Sequence, residues 1–316
     1  MKTTRSVLLA VLFALVLTAP AAAAPKVVWT RAAIPGLATS EPPTAEDFRS
    51  RLYVASLSTD VPEDSRIQLS STPLTGSAPS WTTRLLVPPS DPNSTITAKV
   101  FASRLWLAFR AQNQKVYVGS SSDRASFGGW RSLTGSDDGR GAVSLKGVGS
   151  RLYLAARDTA GRIRVASRTS GGDWGAFTMV PGQTSTFRPI LTEFHDRLTA
   201  GVTGADGRVQ VSSSTNGTTW SGWSAAPAFG AGVATAGPAL TVWHDRLWAG
   251  ARVGTQGPAG PAELRLASFD GHGWSAWSAL ANPPVRNEPC LTTSSGDLVV
   301  AGEGDPGQAV LVQRLR

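Results

Sequence analysis

Cysteine is almost absent from this chain of 316 residues, which contains only Cys290. A single thiol excludes an internal disulfide, and it also excludes zinc-ribbon and haem-attachment patterns, which need paired cysteines. Charged residues make up only 16% of the chain, against a usual quarter. Coiled coils and helical bundles need periodic segments rich in Glu and Lys, so this composition excludes both.

Several functional signatures are missing as well. No stretch beyond residue 24 approaches the run of about 18 apolar residues that spans a bilayer. Phosphate-binding loops, dinucleotide fingerprints, GxSxG and HExxH motifs and EF-hand loops are absent. No basic cluster or stacking platform for nucleic acid stands out. We therefore expect no membrane span, no nucleic-acid partner, no metal site and no cofactor.

The first 24 residues have the organisation of a secretory signal peptide. Lys2 and Arg5 form a basic start, residues 7–17 are apolar, and residues 21–24 are small. Eleven apolar residues are too few to span a bilayer. We expect residues 1–24 to be removed and residues 25–316 to form one secreted domain.

Glycine and proline are abundant, with 33 and 21 copies, above their usual combined share of roughly 12%. Hydrophobic residues make up 41% of the chain, and 11 of them are Trp. Disordered chains lack so many apolar and aromatic residues. The composition therefore indicates a folded, turn-rich, all-β protein.

An internal repeat runs along the whole chain after residue 40. An Arg-Leu pair, followed by apolar and small residues, begins each copy except the last, which begins with Asp-Leu. The copies start at Arg51, Arg104, Arg151, Arg197, Arg246 and Asp297. Each unit holds four short segments with strand character, and a period of 40–50 residues with four strands is typical of a β-propeller blade. We predict an all-β, six-bladed β-propeller with four strands per blade.

The two ends of the repeat predict how the ring closes. The sixth copy lacks the Trp-containing segment that ends the other five, and residues 27–30 are an isolated segment of that type. We expect this N-terminal segment to join the last blade as its outer strand, because closing the ring removes the unpaired sheet edge.

Most repeated residues have structural interpretations. An aromatic or apolar column in the second strand indicates packing between blades, and a column of Ala and Gly two residues later indicates close approach of neighbouring sheets. These columns start at Tyr53 and Ala55. The His-Asp pairs at 195–196 and 244–245 are typical of turns. Cys290 is expected to be a buried, inert thiol on an innermost strand.

The turns before the fourth segment resemble the Asp-box, S-x-D-x-G-x-T-W, of sialidase-like propellers. Residues 167–174 and 213–220 keep Ser, Gly and Trp but carry Thr at the Asp position, and residues 268–274 keep Asp270 in a shorter turn. In that family the motif is a folding turn remote from catalysis, so the resemblance implies the fold, with Trp174 and Trp220 as buried plugs. The overall architecture also resembles the six-bladed, fucose-specific lectin group of propellers.

The loops that enter the innermost strands carry the candidate ligand-binding residues. Arg140, Arg188 and Arg286 come from three blades, and a sialidase holds its carboxylate with three arginines. Nearby carboxylates are Glu46, Glu193 and Glu288. The chain has no tyrosine placed as a nucleophile, since all three lie in middle strands, and no acid is assignable beside one. We therefore assign no catalytic residue.

Carbohydrate binding accounts best for these features. Sugar rings stack on Trp or Tyr, and their hydroxyls suit Arg, Asn, Gln and carboxylates. Such groups occur here beyond the plugging tryptophans, at Trp106 and Trp248 in second strands and at Arg164, Gln210 and Arg265 in third strands. The net charge of +8, or +6 without Lys2 and Arg5, would also suit an anionic glycan. We predict a secreted, lectin-like propeller that binds a glycan or cell-surface polysaccharide, at the axial mouth or in a groove between blades.

Two alternatives remain open. A sialidase would use three arginines with a Tyr/Glu nucleophilic pair and a general acid. Another glycoside hydrolase would use paired carboxylates near the axis. A scaffold would use a propeller face to bind another secreted protein, an alternative that rests on analogy between folds alone.

Overall fold

The computed structural model describes residues 44–58, 66–74, 80–123, 126–135, 141–254, 262–280, 288–294, 297–302 and 311–315. Within these ranges the chain consists of β-strands joined by turns. The signal peptide predicted for residues 1–24 and the ring-closing strand predicted for residues 27–30 lie outside the described residues, and so do Arg140 and Arg286. In the described part of the chain, no helix has the length and apolarity required to cross a bilayer.

The strands fall into six antiparallel sheets that follow one another along the chain. Blade 1 consists of β1 (Thr44–Phe48), β2 (Arg51–Leu57), β3 (Ile67–Pro73) and β4 (Thr82–Leu86). Blade 2 consists of β5 (Thr97–Phe101), β6 (Arg104–Arg110), β7 (Val116–Ser121) and β8 (Gly128–Ser132). Blade 3 consists of β9 (Ser144–Val148), β10 (Arg151–Arg157), β11 (Arg162–Thr169) and β12 (Thr178–Thr184). Blade 4 consists of β13 (Ile190–Phe194), β14 (Arg197–Thr203), β15 (Val209–Ser214) and β16 (Ser224–Ala225). Blade 5 consists of β17 (Val233–Ala234), β18 (Ala239–Trp243), β19 (Arg246–Gly254), β20 (Glu263–Phe269) and β21 (Ser278–Ala279). The last sheet consists of β22 (Cys290–Ser294), β23 (Asp297–Gly302) and β24 (Leu311–Leu315).

Each sheet is a meander, and the sheets are arranged as in a β-propeller. The innermost strands β1, β5, β9, β13, β18 and β22 lie side by side in chain order. Side chains on a strand point alternately to its two faces, so each blade buries one face against the preceding sheet and the other against the next. The predicted all-β propeller is confirmed.

The predicted count of six blades with four strands each is wrong. Five blades reach four strands or more, and the sixth sheet has only β22, β23 and β24 among the described residues. Blade 5 departs in the other direction, with five strands. Its strand β19 is nine residues long and pairs with β18 only as far as Gly250. The remaining residues Val253 and Gly254 pair with β17.

Hydrophobic clusters lie between consecutive blades. Tyr53 of blade 1 packs with Ile96 and Leu105 of blade 2, and Tyr153 of blade 3 packs with Leu191 and Leu198 of blade 4. Trp106 and Trp248 occupy the same position at two further interfaces. The aromatic column is therefore packing between blades, as predicted.

The small residues of the second strands permit this close approach. A Cβ added to Gly201 would lie 2.4 Å from Cδ1 of Leu240, and one added to Gly250 would lie 3.1 Å from Cδ1 of Leu291. Both leucines belong to the innermost strand of the next sheet. Neighbouring sheets thus meet where the side chain is smallest, which confirms the predicted role of the Ala and Gly column.

The hairpins between first and second strands turn at the predicted residues. His195 and Asp196 have φ of 49° and 55°, and His244 and Asp245 have the same values. Two successive residues with positive φ are characteristic of the tight turns that match the twist of β-hairpins. The His-Asp pairs are therefore turn residues.

The Asp-box register is not shown by the structure. In blade 4 the hydroxyl of Ser214 accepts a hydrogen bond from the Gly217 amide at 2.8 Å, and Oδ1 of Asn216 accepts bonds from the Thr218 and Thr219 amides, both at 2.9 Å. The groups that hold the turn are thus one residue further along than the Asp-box pattern requires. Side-chain oxygens do satisfy the turn amides, as expected.

The two tryptophans predicted as buried plugs are only half-buried. Trp174 packs against the cluster between blades 2 and 3, and Trp220 packs against the cluster between blades 3 and 4. Each covers the edge of an interface rather than filling its centre.

Substitution of Gly201 by Ala tests the close approach of blades 4 and 5. Because the new Cβ would overlap Leu240, we expect Gly201→Ala to lower the free energy of unfolding by about 1–3 kcal/mol, the range usual for overpacking. Gly222→Ala is the control, since an added Cβ there meets nothing within 4 Å. Chemical denaturation measures both, and an equal effect of the two changes would contradict the interpretation.

Candidate functional site

Four of the six predicted ligand-binding residues lie within the described ranges. Glu46 lies on β1 and Glu193 on β13, whereas Arg188 and Glu288 precede β13 and β22. All four therefore belong to, or directly precede, the innermost strands, at the axis of the propeller. Their partners decide what they can do there.

Glu46 and Glu193 take part in a cluster with two lysines. Nζ of Lys99 donates to Oε1 of Glu46 at 2.5 Å across the boundary of blades 1 and 2. Burial lowers the pKa of Lys146, the charge of Lys99 lowers it further, and the charges of Glu193 and Glu46 raise it. Two carboxylates and two ammonium groups from blades 1–4 thus face one another and balance in charge.

Arg188 and Glu288 form an ion pair, with 2.8 Å between Nη2 and Oε2. Oε1 of Glu288 also accepts a hydrogen bond from the Gly237 amide at 3.2 Å. These contacts connect the start of the last sheet to the starts of β13 and β18. The pair therefore ties three sheets together.

Cys290 lies on the innermost strand β22, as predicted, but its side chain is exposed rather than buried. The next residue, Leu291, is buried against blade 5. Strand alternation explains the difference, because the side chain before Leu291 must point away from that interface.

The polar residues of the third strands hold turns rather than a ligand. Arg164 donates to Oδ2 of Asp158 from Nε and Nη2, at 3.1 and 2.9 Å. Arg265 makes the corresponding pair with Glu263 at 2.9 Å, and also donates to the Phe229 carbonyl at 2.7 Å. Arg164 is therefore engaged in the turn between the second and third strands of blade 3, whereas Arg265 bonds within β20 and to the segment that precedes β17.

A solvent-open cavity of about 590 Å³ lies between blades 1 and 2. This volume falls within the range of small-molecule sites in proteins. We call it the first groove. It is lined by Arg51, Tyr53, Leu69, Ser71, Thr82, Thr83 and Arg84 of blade 1, and by Asp123 of blade 2.

Hydrogen bonds fix the orientation of Arg51 in the first groove. Its Nη2 donates to Oγ of Ser71 at 3.1 Å and to Oγ1 of Thr82 at 3.2 Å. On the other side of the cavity, Oδ1 of Asp123 accepts a bond from the Ser126 amide at 3.1 Å. A guanidinium and a carboxylate thus face a common space above the buried Tyr53 ring.

The lining of the first groove is not predicted by the sequence. The repeat pattern identifies Arg51 only as the start of a copy, and it predicts no role for Arg84 or Asp123. One sequence signal could have indicated the groove, because Arg84 of β4 and Arg131 of β8 occupy equivalent positions in the repeat. Arg84 pairs with Leu69 of β3, and Arg131 pairs with Val118 of β7. The other blades carry no arginine at this position.

No protein-family model matches the sequence, and no curated protein matches it. Solved structures do share the fold. BP39L lectin from Burkholderia pseudomallei is 12% identical with a TM-score of 0.59, over 88% of this chain and 96% of the lectin. A mutant of the Aleuria aurantia lectin in complex with Fucα1-6GlcNAc is 13% identical with a TM-score of 0.58, over 88% of this chain and 92% of that chain.

An enzyme is similar to the same extent. The α-L-arabinanase of Penicillium chrysogenum, complexed with arabinobiose, is 12% identical with a TM-score of 0.58, over 86% of this chain and 92% of the enzyme. At such identities the likeness shows the fold alone. Lectins and a glycoside hydrolase therefore share this propeller architecture.

Replacing Asp158 tests the interpretation that third-strand arginines are structural. Burial raises the pKa of Asp158, but hydrogen bonds from Arg162 and Arg164 outweigh this and lower it overall. Because the folded pKa is the lower one, the carboxylate stabilises the fold at neutral pH, and this stabilisation is lost as the pH falls through that value. We expect Asp158→Asn to cost about 1.5–3 kcal/mol at pH 7, as for a hydrogen-bonded charge.

The difference between wild type and Asp158→Asn should shrink below about pH 4, where carboxylates protonate. Asp206→Asn is the matched control, since Asp206 is exposed and bonds only to Gln210 and the turn among its described contacts. Urea denaturation between pH 3 and pH 7 measures both variants. A difference that stays constant with pH would show that the charge of Asp158 is not involved.

Proposed function

We propose that this protein is a secreted carbohydrate-binding protein that holds a saccharide in the first groove. The observation that carries the proposal is the composition of that cavity, which combines guanidiniums, a carboxylate and hydroxyls around one solvent-open space. Secretion rests on the signal-peptide organisation of residues 1–24.

The groups in the first groove match the hydroxyls of a sugar ring. Arg51 and Arg84 supply donors, and Asp123 supplies acceptors. Thr82 and Ser71 add hydroxyls that both donate and accept. Because Arg51 is already oriented by Ser71 and Thr82, little side-chain entropy is lost when a ligand binds.

The fold relatives support this class of ligand. The similar structures include lectins, one of them in complex with a disaccharide, and an arabinanase complexed with arabinobiose. The propeller architecture is thus used for saccharides in proteins with little sequence in common with this one. Their binding residues are not carried over to this chain.

The axial carboxylates favour a structural role over catalysis. Glu46 is paired with Lys99, and Glu288 is paired with Arg188 and the Gly237 amide. The oxygens of these carboxylates are therefore already engaged by a lysine, an arginine and a backbone amide that belong to neighbouring blades. Binding without turnover is therefore the leading proposal.

Filling the first groove tests the proposal. Thr82 is exposed on β4, so we expect Thr82→Trp to abolish binding to the neutral glycans that the unmodified protein retains on an array. Ala176→Trp is the control, since Ala176 occupies an exposed segment before the outer strand of blade 3. Both variants should keep the melting temperature of the parent within a few degrees, as is usual for exposed positions.

Equal loss of binding in both variants, or no loss in Thr82→Trp, would place the saccharide elsewhere. A blank array for the unmodified protein would contradict carbohydrate binding itself and would favour a protein-binding scaffold.

A glycoside hydrolase is the second candidate, and the place of Asp47 on the innermost strand β1 favours it. Its side chain is exposed to solvent at the axis, yet the surrounding protein raises its pKa, which is the direction required of a general acid. If this candidate is correct, a panel of aryl glycosides should be hydrolysed, and Asp47→Asn should reduce the rate by at least about a hundredfold. No hydrolysis, or hydrolysis unaffected by Asp47→Asn, excludes this role of Asp47.

A further inference from the structure

The interface between blades 2 and 3 carries a second cluster of arginines on the same rim of the propeller. Arg104 begins β6, Arg131 lies on β8, and Arg168 lies near the end of β11 of the next blade. We call the space they line the second groove. It is the counterpart of the first groove one blade further along, because Arg104 and Arg131 are the repeat equivalents of Arg51 and Arg84.

Arg168 reaches across the interface and stacks on an aromatic ring. Its Cζ lies 4.3 Å from the ring centroid of Trp106 on blade 2. Guanidinium groups in this position are attracted to the face of the indole. Trp106 also contacts Trp174 of blade 3 edge-on, with the ring centroids 6.3 Å apart. The second groove thus has an aromatic floor beneath a fixed cation.

The position of Arg168 in the repeat shows that it has a distinct role. In blades 1, 2 and 4 the equivalent residues are Thr72, Ser121 and Ser214. Their hydroxyls bond within or beside the following turn, to the Ser80 amide, to Asp123 and to the Gly217 amide. Arg168 has no hydroxyl for this purpose, and its guanidinium is directed to the neighbouring blade instead.

Three positive charges in the second groove face one negative charge. Nη1 of Arg131 contacts Oδ1 of Asp173 at 2.6 Å, and this carboxylate is 86% exposed. Arg104 donates only to Oγ of Ser120, at 2.9 Å, among its described contacts. Burial lowers the pKa of Arg168, the charge of Arg131 lowers it further, Asp173 raises it, and Arg104 lowers it. All three guanidiniums stay protonated at neutral pH, so the groove keeps two excess positive charges.

We propose that the second groove binds an oxyanion, a carboxylate or a sulfate, carried by a saccharide. Planar guanidiniums donate pairs of hydrogen bonds to such groups, and the buried Trp106 ring holds the Arg168 guanidinium in place from below. The inference rests on the proposed function, and it narrows the ligand to acidic glycans.

The third interface shows that this charge arrangement is not a general property of the blades. There Arg151 donates to Oγ of Ser167 at 3.0 Å, the same contact that Arg104 makes with Ser120. The outer strand carries Thr178 where β8 carries Arg131, and the next turn contributes the Gly217 backbone, which accepts a bond from Thr178. Arg151 and Arg104 are therefore matched in contact and charge but differ in their neighbours.

Calorimetric titration with three probes tests the proposal. The probes are a galacturonate tetrasaccharide, its fully methyl-esterified form, and a galactose tetrasaccharide that carries one sulfate and no carboxylate. We expect at least one acidic probe to bind about tenfold or more tightly than the esterified form, the gain usual for one additional charge-assisted contact. The tighter of the two acidic probes identifies the oxyanion as carboxylate or sulfate.

Variants then locate the site. Arg104→Gln and Arg131→Gln should each lower the affinity for the acidic probe about tenfold and leave the affinity for the esterified probe unchanged. Arg151→Gln is the control, because it removes the same charge and the same hydrogen bond from a neighbouring interface. It should change the affinity for neither probe. If Arg104→Gln fails to fold, Arg131→Gln remains, because that side chain is 55% exposed.

The failures of the two proposals are distinguishable. Equal affinity for acidic and esterified probes, with Thr82→Trp still abolishing binding, overturns the oxyanion site and leaves carbohydrate binding intact. Equal weakening by Arg104→Gln and Arg151→Gln also overturns the site, since overall charge would then account for the effect. Absence of binding to all three probes and to a glycan array overturns both proposals.

Discussion

Packing between neighbouring sheets is the interaction on which the rest of this structure depends. A single four-stranded meander cannot cover both of its faces, so each blade is stable only against the next. Leu105, Leu107 and Phe109 of blade 2, for example, are fully buried in the cluster shared with blade 1. Small residues let the sheets approach closely at the middle of each interface. The grooves form towards the rim, where Arg51 lies two residues before Tyr53 and Arg104 lies two residues before Trp106.

The repeat supplies equivalent positions, and function arises where those positions diverge. A hydroxyl at the end of the third strand serves the adjacent turn in three blades, whereas Arg168 uses the same position to reach another blade. Likewise, the outer strands carry arginine only in blades 1 and 2. A scaffold of repeated units can accept such changes at the rim, because the buried interfaces that stabilise it are made by other residues.

Sequence periodicity was sufficient to predict the propeller, the hairpin turns and the packing columns, because each depends on residues close together in the repeat. It was insufficient for the strand count. The extra strand of blade 5 depends on the length of β19, which extends beyond its pairing with β18. The residues that line the grooves were not predicted for a related reason. Arg51 and Asp123 come from different blades, and so do Arg131 and Asp173. Local patterns do not encode which side chains meet across an interface.

The axis and the rim handle charge in different ways, and this difference favours the grooves as the binding region. At the axis the innermost strands converge, and a partly buried charge there is costly unless an opposite charge accompanies it. Lys99 accordingly meets Glu46, and Arg188 meets Glu288. At the rim, water screens each charge, so that an excess of arginine costs little stability. The positive charge left over in the second groove is therefore available to a ligand, whereas the axial charges are already committed to holding the ring together.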